Sequence, residues 1–211
     1  MTVTKQSKNW TGDFGRKYVG RNTFSPAKLD AIYKKMYGVT ASGLMRNFLG
    51  KLDRKTRILE VGSNVGNQLL VLQKLGFKNL FGIEINRYAV EKAKKRTKNI
   101  DIICASAFDM PFKDGYFGLV FTAGVLIHIS PEHIKKALSE IYRVSSRYVC
   151  GYEYFSSKYQ EIEYRGKENM MWKGDFAGMY TGMFRECGVL KQKFLKYSDS
   201  ENVDSMFLLE K

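Results

Sequence analysis

Ile58-Leu59-Glu60-Val61-Gly62-Ser63-Asn64-Val65-Gly66-Asn67, followed one helix length later by Leu80-Phe81-Gly82-Ile83-Glu84-Ile85, decides how the chain is read. The first stretch is an apolar strand running into a glycine-bearing turn, and the second is another apolar strand tipped by a carboxylate. Between them residues 66–75 carry helical spacing, and Gly76 stops the helix. Gly62 and Gly66 let the backbone pass close to a ligand and let the helix start against the strand. Glu84 stands where a carboxylate accepts both hydroxyls of a ribose. Strand, turn, helix and acid-tipped strand together define a nucleotide-type site.

A dinucleotide fold would need G-x-G-x-x-G, so that a pyrophosphate could sit on the helix N-terminus. Here the spacing is G-x-x-x-G, Asn64 fills the middle, and Glu60 precedes the first glycine by two residues. A carboxylate at that place disfavours a pyrophosphate and suits a cationic group, such as the amino group of a methionine moiety. Asn64 is compatible with the turn because asparagine enters left-handed backbone conformations more readily than most residues.

Working outward, residues 1–24 are polar and glycine-punctuated, with aromatics at Trp10, Phe14, Tyr18 and Phe24. Ser25-Pro26 opens a helix, with serine as cap and proline in the first turn, and a second helix is expected over 42–52. Strands are expected at 57–61, 80–84, 101–104, 117–122 and 148–153, with helices at 66–75, from the Asn86 cap to about 97, from Ser130-Pro131 to about 144, and over 175–187. Residues 189–197 and 206–209 supply an antiparallel pair at the sheet edge. The alternation predicts an α/β fold with a doubly wound, mostly parallel seven-stranded sheet and N-terminal helices, its ligand lying at the carboxyl ends of the strands. Residues 1–52 are read as a covering segment and 53–211 as the core of one domain.

Length and 44% hydrophobic residues suit such a single core. Cys104, Cys150 and Cys187 form no C-x-x-C pair and lie in apolar stretches, as buried free thiols in a reducing compartment do. No run approaches the roughly 18 apolar residues that span a bilayer, and residues 1–6 lack an apolar signal core, so a soluble cytoplasmic protein is expected. The formal charge of +14 calls for an anionic partner. The basic residues come as scattered pairs and one helical face (Lys92, Lys94, Lys95, Arg96, Lys98), which favours an anionic small molecule over nucleic acid. There is no metal-ligand constellation, no Ser-His-Asp arrangement and no phosphate-loop lysine motif.

The pattern resembles the class I S-adenosylmethionine-dependent methyltransferases, through Glu60 to Gly66, Glu84, and the run from Ala105 to Val120. The resemblance implies S-adenosyl-L-methionine as cofactor. The turn of Glu60, Gly62, Asn64 and Gly66 would hold its methionine part, Glu84 with Ile85 its ribose, and Ser106, Ala107 and Phe108 its adenine, with Thr122 at the end of the fourth strand nearby. Ser106 stands where many relatives carry an aspartate. A narrower resemblance, to the pseudaminic acid biosynthesis-associated methylases, rests on Trp10-x-Gly12-x-Phe14-Gly15-x-x-Tyr18-x-x-Arg21-Asn22, Gly124-Val-Leu-Ile-His-Ile129, Glu153-Tyr154, Tyr164-Arg-Gly166 and Lys173-Gly-Asp-Phe176. It implies methylation near nonulosonic sugar pathways. The residues that amino methyltransferases of bases carry after strand four are replaced by Thr122-Ala123-Gly124-Val125, which lowers the DNA-base reading.

Tyr18, Arg21 and Asn22 lie in a segment that in this fold closes over the cofactor. Arg21 is read either as a bidentate partner of the methionine carboxylate or as a pin for the N-terminal segment. His128, after strand four, is either the base that takes a proton from the acceptor or a packed core histidine. His133 is expected at the surface. Glu153 and Tyr154 end strand five at the same pocket, with Tyr152 and Phe155 on its wall. Tyr164 and Arg165 sit in a long polar insert, where Arg165 holds an acceptor carboxylate or makes a surface ion pair. The expected acceptor is an acidic sugar or its nucleotide-activated form. Its rivals are an RNA or DNA substrate and a non-catalytic cofactor-binding role.

Overall fold

A computed structural model describes residues 3–211. The chain opens with α1 (Lys5–Thr11), α2 (Asp13–Arg21), α3 (Pro26–Tyr37) and α4 (Ala41–Leu49). It continues through β1 (Arg57–Val61), α5 (Asn67–Lys74), β2 (Asn79–Glu84), α6 (Arg87–Arg96), β3 (Ile100–Cys104) and β4 (Phe117–Ala123). A short 3-10 turn (Leu126–His128) leads to α7 (Ile134–Val144) and β5 (Ser145–Tyr154). A hairpin of β6 (Gln160–Tyr164) and β7 (Lys167–Lys173), then α8 (Phe176–Met183), β8 (Gly188–Lys196) and β9 (Val203–Glu210), complete it.

The main sheet has seven strands in the order β3-β2-β1-β4-β5-β9-β8, with β9 antiparallel to both its neighbours. Strand alternation divides the core in two. On one face Ile58, Leu119, Cys150, Met206 and Leu208 pack with Leu69 and Leu72 of α5, Val90 of α6 and Leu29 and Tyr33 of α3. On the other, Leu59, Val61, Val120, Val149, Phe207 and Leu209 pack with Ile134, Leu138 and Ile141 of α7 and with Tyr180 of α8. Each strand carries apolar residues on both faces, as a sheet sandwiched between helices requires.

The expected doubly wound sheet is present, and most elements fall within a few residues of their predicted bounds. Three regions differ. Residues 5–21 form two helices, started by a capping box in which Ser7 N–H donates to Thr4 Oγ1 at 3.0 Å. The polar insert after β5 is a hairpin, whose turn residues Arg165 and Gly166 both have positive φ, 54° and 69°. Residues 131–133 form a turn before α7, and the His133 ring is half-buried, with Nδ1 3.0 Å from Ser130 Oγ. Cys150 and Cys187 are buried free thiols as expected, whereas Cys104 is exposed on the edge strand β3.

Gly151, in the middle of β5, marks the tightest packing between the sheet and its β9 neighbour. A Cβ built there would lie 2.2 Å from Phe207 Cζ, inside a ring that is 1% exposed. Gly151→Ala should therefore destabilise the fold by about 1–3 kcal/mol, the usual cost of overpacking a filled core. Denaturant unfolding measures it, and an unchanged midpoint would contradict this packing.

Candidate active site

A cavity of about 390 Å³ opens at the carboxyl ends of β1, β2, β4 and β5. It forms there because the chain leaves β1 for α5 on one face of the sheet and leaves β4 for α7 on the other, so the two neighbouring strands part at their ends.

The turn after β1 builds one wall. Gly62 has φ 71°, and a Cβ on it would meet Val125 Cγ2 at 2.6 Å, so only glycine lets the β4 loop close on the turn. Asn64 takes φ 47°, the left-handed conformation the sequence allows for. Glu84 fastens this turn: Oε2 accepts the Asn64 N–H at 2.9 Å, and Oε1 accepts the Asn86 N–H at 2.8 Å. Each oxygen keeps lone-pair capacity for a ligand hydroxyl. Burial raises the Glu84 pKa, and the N–H groups of Asn86 and Asn64 oppose it. Glu60 is 3% exposed, and burial, with the Glu84 charge next, pushes its carboxyl well above the usual range. Glu60 Oε2, Asn64 Oδ1 and Gln68 Oε1 are buried without a hydrogen-bond partner, and all three residues line the cavity. Three such acceptors call for a ligand rich in donors, and the ammonium and ribose hydroxyls of S-adenosylmethionine meet that demand.

The N-terminal helices lie across the mouth. Trp10, Gly15, Tyr18, Val19 and Asn22 all line the cavity. Asn86, the cap of α6, donates from Nδ2 to the Trp10 carbonyl at 2.8 Å. Arg96 reaches back to donate to Val65 O at 3.0 Å, Asn67 Oδ1 at 2.6 Å and Phe24 O at 2.5 Å, so it staples the N-terminal segment to the glycine turn and does not belong to a solvated basic face. Burial against Trp10 and its neighbours takes the Tyr18 phenol up to about 12.

On the far wall, the His128 ring packs at a tilt against Trp10, with centroids 4.6 Å apart, and against Tyr164 at 5.1 Å. Its Nδ1 lies 2.8 Å from the Met170 carbonyl. A carbonyl only accepts, so Nδ1 carries the proton and Nε2 keeps its lone pair. Burial lowers the His128 pKa to about 4, partly opposed by the Met170 carbonyl, and the ring is neutral at pH 7. Glu153, 1% exposed, accepts the Val125 N–H at 3.0 Å and the Ile127 N–H at 3.4 Å, which fixes the loop carrying His128. Burial raises Glu153 to about 7, against the Thr122 hydroxyl and those N–H groups.

Of the residues expected at the site, Tyr18, Glu60, Gly62, Asn64, Glu84, Ile85, Ser106, Ala107, Phe108, His128 and Tyr154 line the cavity, as do Asn22, Tyr152 and Glu153. The loop bearing Ser106 to Phe108 is held on α7 by Arg143, which donates to Met110 O at 3.1 Å and Phe112 O at 2.8 Å. Six residues do not reach the wall. Arg21 is exposed at the end of α2, where its helical phase turns it outward. Gly66 caps α5 and faces Thr97 and Ile102. Thr122 is buried behind the wall as a partner of Glu153. Tyr164 supports His128 and Phe14 from behind. Arg165 is exposed at the hairpin tip, its guanidinium 5.7 Å from the Tyr164 ring, so it cannot hold an acceptor within this cavity. Phe155 packs on Phe194 instead of the cavity. The sequence reading missed Trp10 as a wall residue, and also Tyr33, Tyr37, Gln68, Asn86, Tyr197 and Asp204. The alternation of β9 was the available signal for Asp204, since it shares a face with Met206 and Leu208.

Residues 59–147 match the family described as a methyltransferase domain. A 24-methylenesterol C-methyltransferase 2 of Arabidopsis thaliana is 30% identical over 111 residues, covering 48% of this chain and 30% of the relative. A sterol methyltransferase-like 1 of Botryococcus braunii is 28% identical over 102 residues, covering 46% and 26%. The chain thus spans about a third or less of the length of these two curated relatives. The solved Burkholderia thailandensis 1,6-didemethyltoxoflavin-N1-methyltransferase, with 1,6-didemethyltoxoflavin and S-adenosylhomocysteine bound, superposes with a TM-score of 0.71 over 100% of this chain and 92% of that one, at 11% identity. Residues 59–147 thus resemble a methyltransferase domain, and the fold of the present chain is that of the solved methyltransferase. Among the described residues no group of three or more His, Cys, Asp and Glu is placed to hold a metal ion, and no helix is long and apolar enough to cross a membrane.

The two protonation states next to each other are measurable. In NMR titrations the His128 ring should stay neutral down to about pH 4, while the Val125 and Ile127 amides should shift with a midpoint near pH 7 as Glu153 ionises. The Glu153 pKa is raised on folding from 4.5, so the stability it contributes is greatest below that value and is lost as pH rises towards 7. A His128 midpoint of 6 to 7, the range of a solvated histidine, would overturn the buried description.

Proposed function

We propose that the chain methylates a small-molecule acceptor with S-adenosylmethionine. The carrying observation is the crevice at the β1–β4 divergence, lined by a Glu84-fastened glycine turn and by buried acceptor oxygens that lack partners. The bound cofactor supplies a methyl group on a cationic sulfonium leaving group. Glu84 would accept its ribose hydroxyls, the unpartnered Glu60 Oε2 would accept from its ammonium, and Ser106, Ala107 and Phe108 would flank its adenine. α1 and α2 exclude water over the mouth, so that positioning and desolvation carry most of the acceleration. His128 Nε2 takes the acceptor proton; burial makes it a weak base, and its fixed tautomer and neutral state keep its lone pair available at pH 7.

The resemblance to nonulosonic-pathway methylases supports a sugar-like acceptor, and the rings of Tyr33, Tyr37, Tyr152 and Tyr154 in the cavity suit the apolar faces of a sugar. The electrostatics revise the expected charge. Among the described residues the lining contains four carboxylates, Glu60, Glu84, Glu153 and Asp204, and no lysine or arginine. No basic side chain of the wall would pair with an anionic sugar, and burial disfavours a further negative charge there, so a neutral or cationic acceptor fits better. The basic surface that suggested nucleic acid lies outside this wall.

Two variants test the assignment. Glu84→Ala should weaken S-adenosylmethionine and S-adenosylhomocysteine alike by about 2 to 3 kcal/mol in calorimetry, and parental affinity for both would remove Glu84 from this role. His128→Ala should keep cofactor affinity and lower turnover about a hundredfold. A rate loss that tracks a large fall in Tm would make it a packing residue.

A further inference from the structure

On the α3 face of the sheet the same cavity is lined by Tyr33, Tyr37, Tyr152, Tyr197 and Asp204, a lobe distinct in its residues from the His128 wall. Its floor is Asp204, 3% exposed, at the start of β9. Three phenols converge on a single oxygen of that carboxylate: Tyr37, Tyr152 and Tyr197 hydroxyls donate to Oδ2 at 2.6, 2.8 and 3.1 Å. Oδ1 is buried and has no hydrogen-bond partner. The rings around it form a cage, with centroids 5.0 Å apart for Tyr37 and Tyr197, 5.3 Å for Tyr33 and Tyr152, and 5.6 Å for Tyr154 and Tyr197. The nearest cation, Lys173, sits outside the lining, 5.0 Å from the Tyr154 ring centroid and hydrogen-bonded to Asn202 at 2.5 Å.

A saturated Oδ2 beside a bare Oδ1 is an incomplete arrangement, because a buried carboxylate oxygen without a donor costs free energy that a merely structural aspartate would avoid. Tyrosine faces around a carboxylate attract cations through the ring quadrupole as well as through charge. We propose that this lobe binds the ammonium group of a second ligand, the methyl acceptor, through Asp204 Oδ1 and the surrounding tyrosine rings. The inference rests on the methyltransferase reading and adds to it the chemical class of the acceptor: a primary or secondary amine, held by its ammonium nitrogen at Asp204 while another of its atoms takes the methyl group.

The probes are benzylamine, benzyl alcohol and benzoate, matched in size and differing in charge, titrated into the full chain saturated with S-adenosylhomocysteine. Benzylamine should bind about tenfold or more tightly than the alcohol, as one charge-assisted hydrogen bond allows, and benzoate should not bind. Amide shifts should centre on residues 203–205. Asp204→Asn should erase the preference while leaving S-adenosylhomocysteine affinity within about twofold. Equal or absent binding of the three probes, or shifts away from 203–205, overturns the proposal without a variant being needed. Displacement of benzylamine by S-adenosylhomocysteine also overturns it, by giving the lobe to the cofactor's own ammonium. Failure of S-adenosylhomocysteine to bind at all is a different result, and it removes the methyltransferase reading.

Discussion

Neighbouring strands β1 and β4 send the chain to opposite faces of one sheet, and the site depends on that divergence. A right-handed crossover through α5 and another through α7 leave no helix to cover the strand ends between them. The crevice is thus a consequence of chain handedness and strand order. What sequence adds is the means of keeping it narrow: a glycine at 62 that admits Val125, and a carboxylate at 84 that holds Asn64 and Asn86 by their backbone N–H groups.

Charge is sorted between the outside of this molecule and its cavity. The formal excess of +14 sits on the surface, while the cavity lining holds only acidic side chains among its charged residues. A composition-level argument therefore does not reach the groups that would meet the acceptor. Net charge governs long-range attraction and solubility, whereas recognition is decided by the groups within a few ångströms in a low-dielectric space. The surface charge and the cavity lining are different quantities, and here their ionisable side chains are of opposite type.

The parallel core was legible because each of its signals is local. Apolar runs of five or six residues, Gly76 as a stop, Ser25-Pro26 and the Asn86 cap all fix conformation through their own backbone chemistry, and Asn86 does accept from Tyr88 and Ala89 N–H as a cap should. The cofactor wall followed from the same turn. The parts that escaped are held by distant partners. α1 is docked by Gln6 on the Asn169 carbonyl, 163 residues away, and its polar composition gives no hint of that. The β6–β7 turn uses Arg165 where an asparagine would have announced it, and Asp204 meets Tyr37 across 167 residues. For Arg21 and Arg165 the sequence leaves open a ligand clamp, because arginine chemistry suits an anion, or a structural or surface role. Helical phase in one case and a hairpin tip in the other turn them to solvent.

The N-terminal cover and the cofactor turn form one connected structure. Glu84 accepts from Asn86 N–H, Asn86 donates its side-chain amide to the Trp10 carbonyl, and the Trp10 ring lies on His128. Gly15 lets α2 fold back against Trp10, since a Cβ there would lie 1.8 Å from the Trp10 carbonyl oxygen. The proposed ribose acceptor is therefore two hydrogen bonds and one ring contact from the candidate base. A ligand hydroxyl on Glu84 draws on the same carboxylate that holds Asn86, so occupancy of the ribose site bears directly on how firmly the cover is seated. Glu84 and His128 are consequently linked through shared partners, and the burial that lowers the His128 pKa depends in part on the Trp10 ring that Asn86 helps to seat.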